Sequence, residues 1–256
     1  MPIGPARMPL FDHLGELRRR LVIILVTFAI ATVALYFLAP HLIDFLVEPF
    51  KKYIPDGQLY IMSGLGGFTV QFKVGAFFGL LVSSPVIIWQ FIGFFLPALK
   101  PNERKWALPT FLTGCVLFFV GMIFCYFVIL DPAFEWMTGQ TEMIAQVLPD
   151  AENYLKLTML FEIAFGLAFE LPIVVFYLIV FNIVPYKKFR ESWRVVYVVL
   201  MVVSAMFTPD ANPITMILMF AALLALYEGS LLLSRVVLAK KIAAQNEKMA
   251  MQESDD

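Results

Sequence analysis

Long apolar runs alternate with short polar segments along the whole chain. Four of the runs are long enough to cross a bilayer as helices, which takes about 20 residues at about 1.5 Å each. Two runs near the C-terminus have only 13 and 14 residues, or about 20 Å of helix. The six runs are 21–39, 74–96, 106–130, 157–184, 195–207 and 214–227. The pattern predicts an all-α integral membrane protein with six transmembrane helices, of which the last two are short.

Composition supports a membrane protein. Hydrophobic residues make up 61% of the 256 residues and charged residues only 15%, which is far from the balance of a soluble domain. Residues 1–240 read as a single polytopic membrane domain, in which 1–20 form a cytoplasmic interfacial helix. Residues 241–256 lack apolar periodicity and read as a polar cytoplasmic tail.

The basic residues are distributed unevenly between the two sides of this predicted bundle. With both termini in the cytoplasm, fifteen of the 19 Lys and Arg fall on the cytoplasmic side, as the positive-inside rule requires. Those fifteen are Arg7, Arg18, Arg19, Arg20, Lys100, Arg104, Lys105, Lys187, Lys188, Arg190, Arg194, Arg235, Lys240, Lys241 and Lys248. The pattern favours a multi-pass protein of a bacterial inner membrane with N and C termini inside.

The inventory of reactive side chains argues against an enzyme. Both histidines, His13 and His41, lie outside the predicted spans, and no Asp lies in the middle of one. The chain also has no phosphate-binding glycine loop. We therefore expect neither a catalytic site nor a metal or cofactor, and no nucleic-acid partner.

A carboxylate in the fourth span keeps a transporter open as an alternative. Glu170 lies near the middle of its apolar run, where a charge costs roughly 2.5–3.5 kcal/mol on insertion scales. Pro172 removes a nearby backbone donor and predicts a kink. An ion-coupled secondary transporter of a small solute would use such a carboxylate. A scaffold unrelated to transport is a further alternative.

Two acidic residues stand among cations at the predicted cytoplasmic face. Glu16 lies in "HLGELRRRL" and Glu103 in "LKPNERK", between the second and third spans. Each has a structural explanation: Glu16 pairs with Arg20 one turn on, and Glu103 pairs locally, while Arg19 and Arg20 meet lipid head groups. The functional alternative is that the two carboxylates receive two guanidinium groups as bidentate pairs.

Four motifs, in order, resemble one family. "HLGELRRRL", "SPVIIWQF" leading into "FLPALKPNERK", "AFGLAFELPIV" and "FTPD" are similar to TatC, the signal-receptor subunit of the twin-arginine protein translocase. The resemblance covers about residues 8–240. It implies a concave, glove-like bundle that binds the twin-arginine signal peptides of folded cargo at its cytoplasmic face. It also implies TatA-type and TatB-type single-span partners, a homo-oligomer within the complex, and export driven by the proton-motive force.

The resemblance also implies roles for individual residues. Signal-peptide binding falls to Glu16, Glu103, Arg18, Phe94 and Pro97. Glu170 becomes an intramembrane site for a polar group of a partner helix or of the inserted signal peptide, with a hydrogen bond to Gln90 as the structural alternative. Pro49 and Asp210 match positions on the outer face, where turn chemistry alone also explains Asp210. Pro85 matches a structural proline of the second span.

Overall fold

All regular secondary structure of the described residues is helical. The computed structural model describes residues 10–54, 59–95, 107–143, 148–180, 183–208, 212–239, 242, 243 and 245. The α-helices are α1 (Leu10–Tyr36), α2 (Ala39–Val47), α3 (Gly66–Phe95), α4 (Ala107–Phe124), α5 (Leu130–Glu142), α6 (Ala151–Ala168), α7 (Leu171–Val180), α8 (Tyr186–Glu191), α9 (Trp193–Phe207) and α10 (Pro213–Val237). A 3₁₀ helix occupies Glu48–Tyr53 and a π-helix Cys125–Ile129.

Five helical segments are long and apolar enough to cross a membrane. They are Leu14–Tyr36, Gly66–Phe94, Leu108–Glu142, Ala151–Val180 and Pro213–Val237, and the shorter apolar helix is Trp193–Phe207. The predicted all-helical membrane protein is thereby confirmed. Of the segment 1–20, predicted as an interfacial helix, residues 10–20 form the beginning of α1, which continues into the first span without a break.

The prediction of two short final helices is wrong for the second of them. Helix α10 has 25 residues and continues ten residues past Tyr227. Hydropathy ends the apolar run before Glu228, but that carboxylate accepts hydrogen bonds from Arg190 and Tyr197. The Ser230 hydroxyl donates to the Tyr227 carbonyl at 2.7 Å, so Glu228 and Ser230 are both hydrogen-bonded without ending the helix.

The third span is also longer than its apolar run. Helix α4, the π-helix and α5 follow one another directly from Ala107 to Glu142, whereas hydropathy ends the span at Leu130. A helix needs apolar side chains only inside the lipid, so the acidic residues of α5 are compatible with its continuation. Hydropathy therefore locates a span better than it locates the ends of the helix.

The chain consists of two compact units, Met1–Val116 with Thr141–Met159, and Leu117–Gln140 with Leu160–Asp256. In the first unit, α1 packs along α3. A Cβ on Gly79 would lie 2.9 Å from the Thr32 Cα, and one on Gly75 would lie 2.9 Å from the Tyr36 Cα. Glycines four residues apart therefore allow the two backbones to meet, as is common between transmembrane helices.

Pro85 lies inside α3 without ending it. Proline has no N–H to donate to the carbonyl four residues earlier, which here belongs to Leu81. The Ser84 hydroxyl donates to that carbonyl at 2.7 Å. The freed acceptor is therefore satisfied at membrane depth, where an unpaired carbonyl would be costly.

The connections of the first unit are tied together by backbone and ionic contacts. Tyr60 donates its N–H to the Pro149 carbonyl and accepts from the Ala151 N–H, both at 2.9 Å. Lys73 forms an ion pair with Glu152. These contacts join the beginning of α3 to the beginning of α6.

In the second unit, aromatic residues and glycines fill the space between the third and fourth spans. A Cβ on Gly121 would lie 2.6 Å from the Phe165 carbonyl oxygen, and one on Gly166 would lie 2.7 Å from the Phe118 ring. The fourth span breaks at Phe169 and Glu170, between α6 and α7, where Pro172 predicted a kink. Helix α10 packs against both α7 and α9.

Candidate functional site

Helical periodicity places Glu16 and Arg20 on one face of α1. Residues four apart in an α-helix are neighbours on its surface. The Arg20 Nη2 lies 2.5 Å from the Glu16 Oε1, and the Nε donates to the same oxygen at 3.0 Å. Both side chains are about three-quarters buried. The local pair that the sequence offered as the structural explanation for Glu16 is therefore present.

The end of α3 completes the surroundings of this guanidinium. The Arg20 Nη1 donates to the Gln90 side-chain oxygen at 3.3 Å and to the Gln90 backbone carbonyl at 3.4 Å. All the protein atoms that receive these hydrogen bonds are oxygen acceptors: one carboxylate, one amide and one carbonyl. Such a set matches the five N–H donors of a guanidinium and offers it no competing donor.

Gly93 leaves the space in which the guanidinium lies. A Cβ at this position would overlap the Arg20 Nη1 and lie 3.0 Å from its Cζ. Glycine in a helix interior costs roughly 0.5–1 kcal/mol relative to alanine. Here its lack of a side chain serves close packing of the arginine. We call Glu16, Gln90 and Gly93 the guanidinium pocket.

The other residues predicted for signal binding are placed only in part. Arg18 is exposed on α1, between Glu16 and Arg20 in the sequence. Phe94 is half-buried in the last turn of α3 and follows Gly93 directly. Pro97 and Glu103 lie outside the described residues, in the segment that follows α3.

Glu170 lies at the break between α6 and α7. Its N–H donates to the Leu167 carbonyl at 3.1 Å, and its own carbonyl accepts from Ile173 and Val174. The side chain is half-buried. Within the described part of the second unit, no hydrogen bond or ion pair involves its carboxylate.

The residues predicted for the outer face have structural surroundings of their own. Pro49 stands at the start of the 3₁₀ helix, where a missing N–H is tolerated, and precedes the fully buried Phe50. Asp210 lies outside the described residues. Two residues later, the Asn212 side chain caps α10 by accepting from the Ile214 N–H at 2.8 Å.

Three features of the site are not found from the sequence. The sequence groups Gln90 with Glu170 in the intramembrane site, whereas the structure pairs it with Arg20. Gly93 carries no motif of its own and is marked only by its neighbours Gln90 and Phe94. Glu162, which also lies in the fourth span, is 4% exposed and has no hydrogen-bond partner for its Oε1 among the described residues.

Comparison with known proteins identifies the family. The family model described as "Sec-independent protein translocase protein (TatC)" matches residues 12–221. The chain is 32% identical over 236 residues to the Sec-independent protein translocase protein TatC of Aquifex aeolicus, covering 91% of this chain and 98% of that protein. It is 32% identical over 235 residues to the TatC of Deinococcus radiodurans, covering 90% and 87%. The chain belongs to the TatC family.

A solved structure agrees with this assignment. The chain is similar, with a TM-score of 0.71 and 30% identity, to a structure titled as the twin arginine translocase receptor TatC, covering 88% of this chain and 98% of that one. TatC proteins are components of a protein translocase and form a non-enzymatic family. The family prediction made from the four motifs is confirmed, and this member of the TatC family is a multi-pass membrane component of the twin-arginine pathway.

Proposed function

We propose that this chain is the receptor subunit that binds twin-arginine signal peptides at the cytoplasmic face. The observation that carries the proposal is the guanidinium pocket. It already holds an arginine through a carboxylate, an amide oxygen and a backbone carbonyl. A site that binds a guanidinium by geometry as well as by charge can distinguish a ligand with arginine from one with lysine.

Two carboxylates would bind the two arginines of the signal peptide. Glu16 belongs to the pocket, and Glu103 comes eight residues after Phe95, the last residue of α3, in the sequence. Each carboxylate would form a bidentate pair with one guanidinium of the signal peptide. Phe94 and Pro97 would shape the apolar side of the site, and Arg18 would contact the peptide beside its arginine pair.

The arrangement in the membrane follows from charge. Both termini and the Arg-rich loops would face the cytoplasm of a bacterial inner membrane, and α9 would cross as a short sixth span. Its 15 residues cover about 22 Å, which a locally thinned bilayer accommodates. Residues 1–240 would then form one membrane domain followed by a cytoplasmic tail.

Export would require partners and an energy source from outside this chain. We propose TatA-type and TatB-type single-span proteins as partners, further copies of this chain within the complex, and the proton-motive force as the driver. Glu170 would contact a polar group on a partner's membrane helix or on the inserted signal peptide. Its half-buried position at a helix break supports this role. Pro49 and Asp210 would act at the outer face.

Binding of a labelled twin-arginine signal peptide to the purified protein in detergent tests the receptor function. We expect binding that is selective against the twin-lysine peptide and that is lost in Glu16→Ala and Glu103→Ala. Glu48→Ala, which removes an exposed carboxylate outside the site, is the matched control. Equal binding of both peptides, or normal binding by both site variants, would overturn the proposal.

A further inference from the structure

The guanidinium pocket is occupied by the chain's own Arg20. Three of the nitrogens of that side chain donate hydrogen bonds within it: Nε and Nη2 to Glu16, and Nη1 to Gln90. Glu16 is one of the two carboxylates to which the proposed function assigns a signal-peptide arginine. An incoming guanidinium and Arg20 would therefore compete for the same carboxylate.

The pocket fits a guanidinium in particular. An ammonium group is a point charge without a planar fork, and from the position of Arg20 it could not reach the carboxylate and both Gln90 oxygens together. Gly93 leaves room for this group, because a Cβ at that position would overlap Nη1 and the guanidinium would have to shift. Gln90 and Gly93 thus select a ligand by its shape, through two oxygen acceptors and free space, while the Glu16 carboxylate selects it by its positive charge.

We propose that one arginine of the signal peptide binds in the guanidinium pocket at the position now held by Arg20, and that the Arg20 side chain must leave the pocket for this to happen. The inference rests on the proposed function and adds three residues to it. Gln90 and Gly93 become specificity-determining residues, and Arg20 becomes a resting-state occupant of the site. The exchange replaces one set of guanidinium hydrogen bonds by another.

Displacement has a physical consequence for affinity. The binding free energy gained from the signal arginine is partly offset, because the same contacts to Arg20 are lost. The ion pair between Arg20 and Glu16 therefore weakens binding of the peptide. In Arg20→Gln, the part-buried Glu16 loses its partner and gains more from an incoming guanidinium. The variant should bind the twin-arginine peptide about ten- to 150-fold more tightly than the natural protein, the range that corresponds to a hydrogen bond to a charged group.

The test measures binding of labelled twin-arginine and twin-lysine peptides to full-length protein in detergent. Arg19→Gln is the matched control, since Arg19 is the exposed neighbour and carries the same charge outside the pocket. The expected result is a gain in Arg20→Gln that is absent or much smaller in Arg19→Gln and is selective for the arginine peptide. Adding Gly93→Ala to Arg20→Gln should reduce the gain, because a bound guanidinium would have to shift away from the new methyl group.

The outcomes separate this inference from the proposed function. If Glu16→Ala removes arginine-selective binding while Arg20→Gln leaves affinity unchanged or lowers it, the receptor function stands and the displacement is refuted. A gain of equal size in Arg19→Gln would also refute it, because net charge alone would then explain the effect. Retention of the full gain in Arg20→Gln with Gly93→Ala would show that the signal arginine does not lie against Gly93, which refutes the assignment of that residue. Thermal melting of each variant in the same detergent verifies that it is folded.

Discussion

The contacts of Arg20 depend partly on its own helix and partly on a neighbouring one. Glu16 and Arg20 are predicted as a pair from their spacing alone, since i and i+4 positions always meet on a helix. The participation of Gln90 and Gly93 was not predictable, because those residues are 70 or more positions away and meet Arg20 only through the packing of α1 on α3. The sequence alone does not show the register between α1 and α3, which decides these contacts.

Glu170 and Glu162 lie in the same span but should respond differently to substitution. Glu170 is half-buried at the helix break, whereas Glu162 is buried and its Oε1 has no partner among the described residues. Glu170→Ala should reduce export of a twin-arginine reporter, while Glu170→Gln should retain most of it if only hydrogen bonding matters. Burying a polar group without a hydrogen bond is unfavourable, and methionine has a similar volume, so Glu162→Met should preserve both export and melting temperature. Normal export in Glu170→Ala, with normal complex assembly, would contradict the proposed role.

Glu228 should stabilise its end of the second unit by bridging two neighbours. Arg190 donates to one of its oxygens at 2.8 Å and the Tyr197 hydroxyl to the other at 3.0 Å. Because these groups are partly exposed, we expect Glu228→Gln to cost only about 1 kcal/mol, or about 2–4 °C in melting temperature. Glu191→Gln, which alters an exposed pair with Lys187 in the same region, should have no measurable effect. Equal shifts in the two variants would show that Glu228 has no special role.

Periodicity and length predict the centres of the helices correctly and their ends less well. Hydropathy could not follow α10 through Glu228 or the third span beyond Leu130, because both helices continue with polar residues that are paired or lie outside the apolar run. The break at Glu170 was predictable because proline acts locally, through its missing N–H. Helix ends depend on tertiary partners, which a single sequence does not display.

The close approach of α1 and α3 should depend on Gly79. A leucine there would place its Cβ 2.7 Å from the Thr32 Oγ1 and 2.9 Å from the Thr32 backbone, so the helices would have to separate. Overpacking of this kind typically costs about 1–3 kcal/mol. Gly79→Leu should lower the melting temperature in detergent, and it should also weaken peptide binding because Arg20 and Gln90 meet across the same helix pair.

Gly229→Ala provides the control for that experiment. A Cβ at Gly229 would have no atom within 4 Å, and alanine is the better helix former, so its stability should be unchanged or slightly higher. A melting temperature of Gly79→Leu equal to that of the natural protein would show that α1 and α3 do not need this contact.

For the molecule as a whole, charge asymmetry and the count of spans predict how the chain lies in the membrane. Its described part has five helices long enough to cross and one shorter apolar helix, α9. Whether α9 crosses decides the side of everything after it. Since α10 follows it and is long enough to cross, Glu191 and the C-terminal tail share a side only if α9 also crosses.

Cysteine accessibility tests this topology. In a variant without Cys115 and Cys125, single cysteines at Glu191, Ser254 and the exposed Asn153 would be probed with a membrane-impermeant maleimide on intact and opened cells. We expect Asn153→Cys to react from outside, and Glu191→Cys and Ser254→Cys to react only after the cells are opened. Reaction of Ser254→Cys in intact cells would show that α9 does not cross.

The most direct measurement is photocrosslinking from a signal peptide that carries a photoreactive residue beside its two arginines. If the peptide binds as proposed, adducts on the full-length protein map to the first turns of α1 around Glu16 and to the end of α3 around Gln90 and Gly93. A twin-lysine peptide should give few adducts at these positions. Adducts confined to the α6–α7 break around Glu170, or equal adducts from both peptides, would contradict the assignment of the guanidinium pocket as the signal-peptide site.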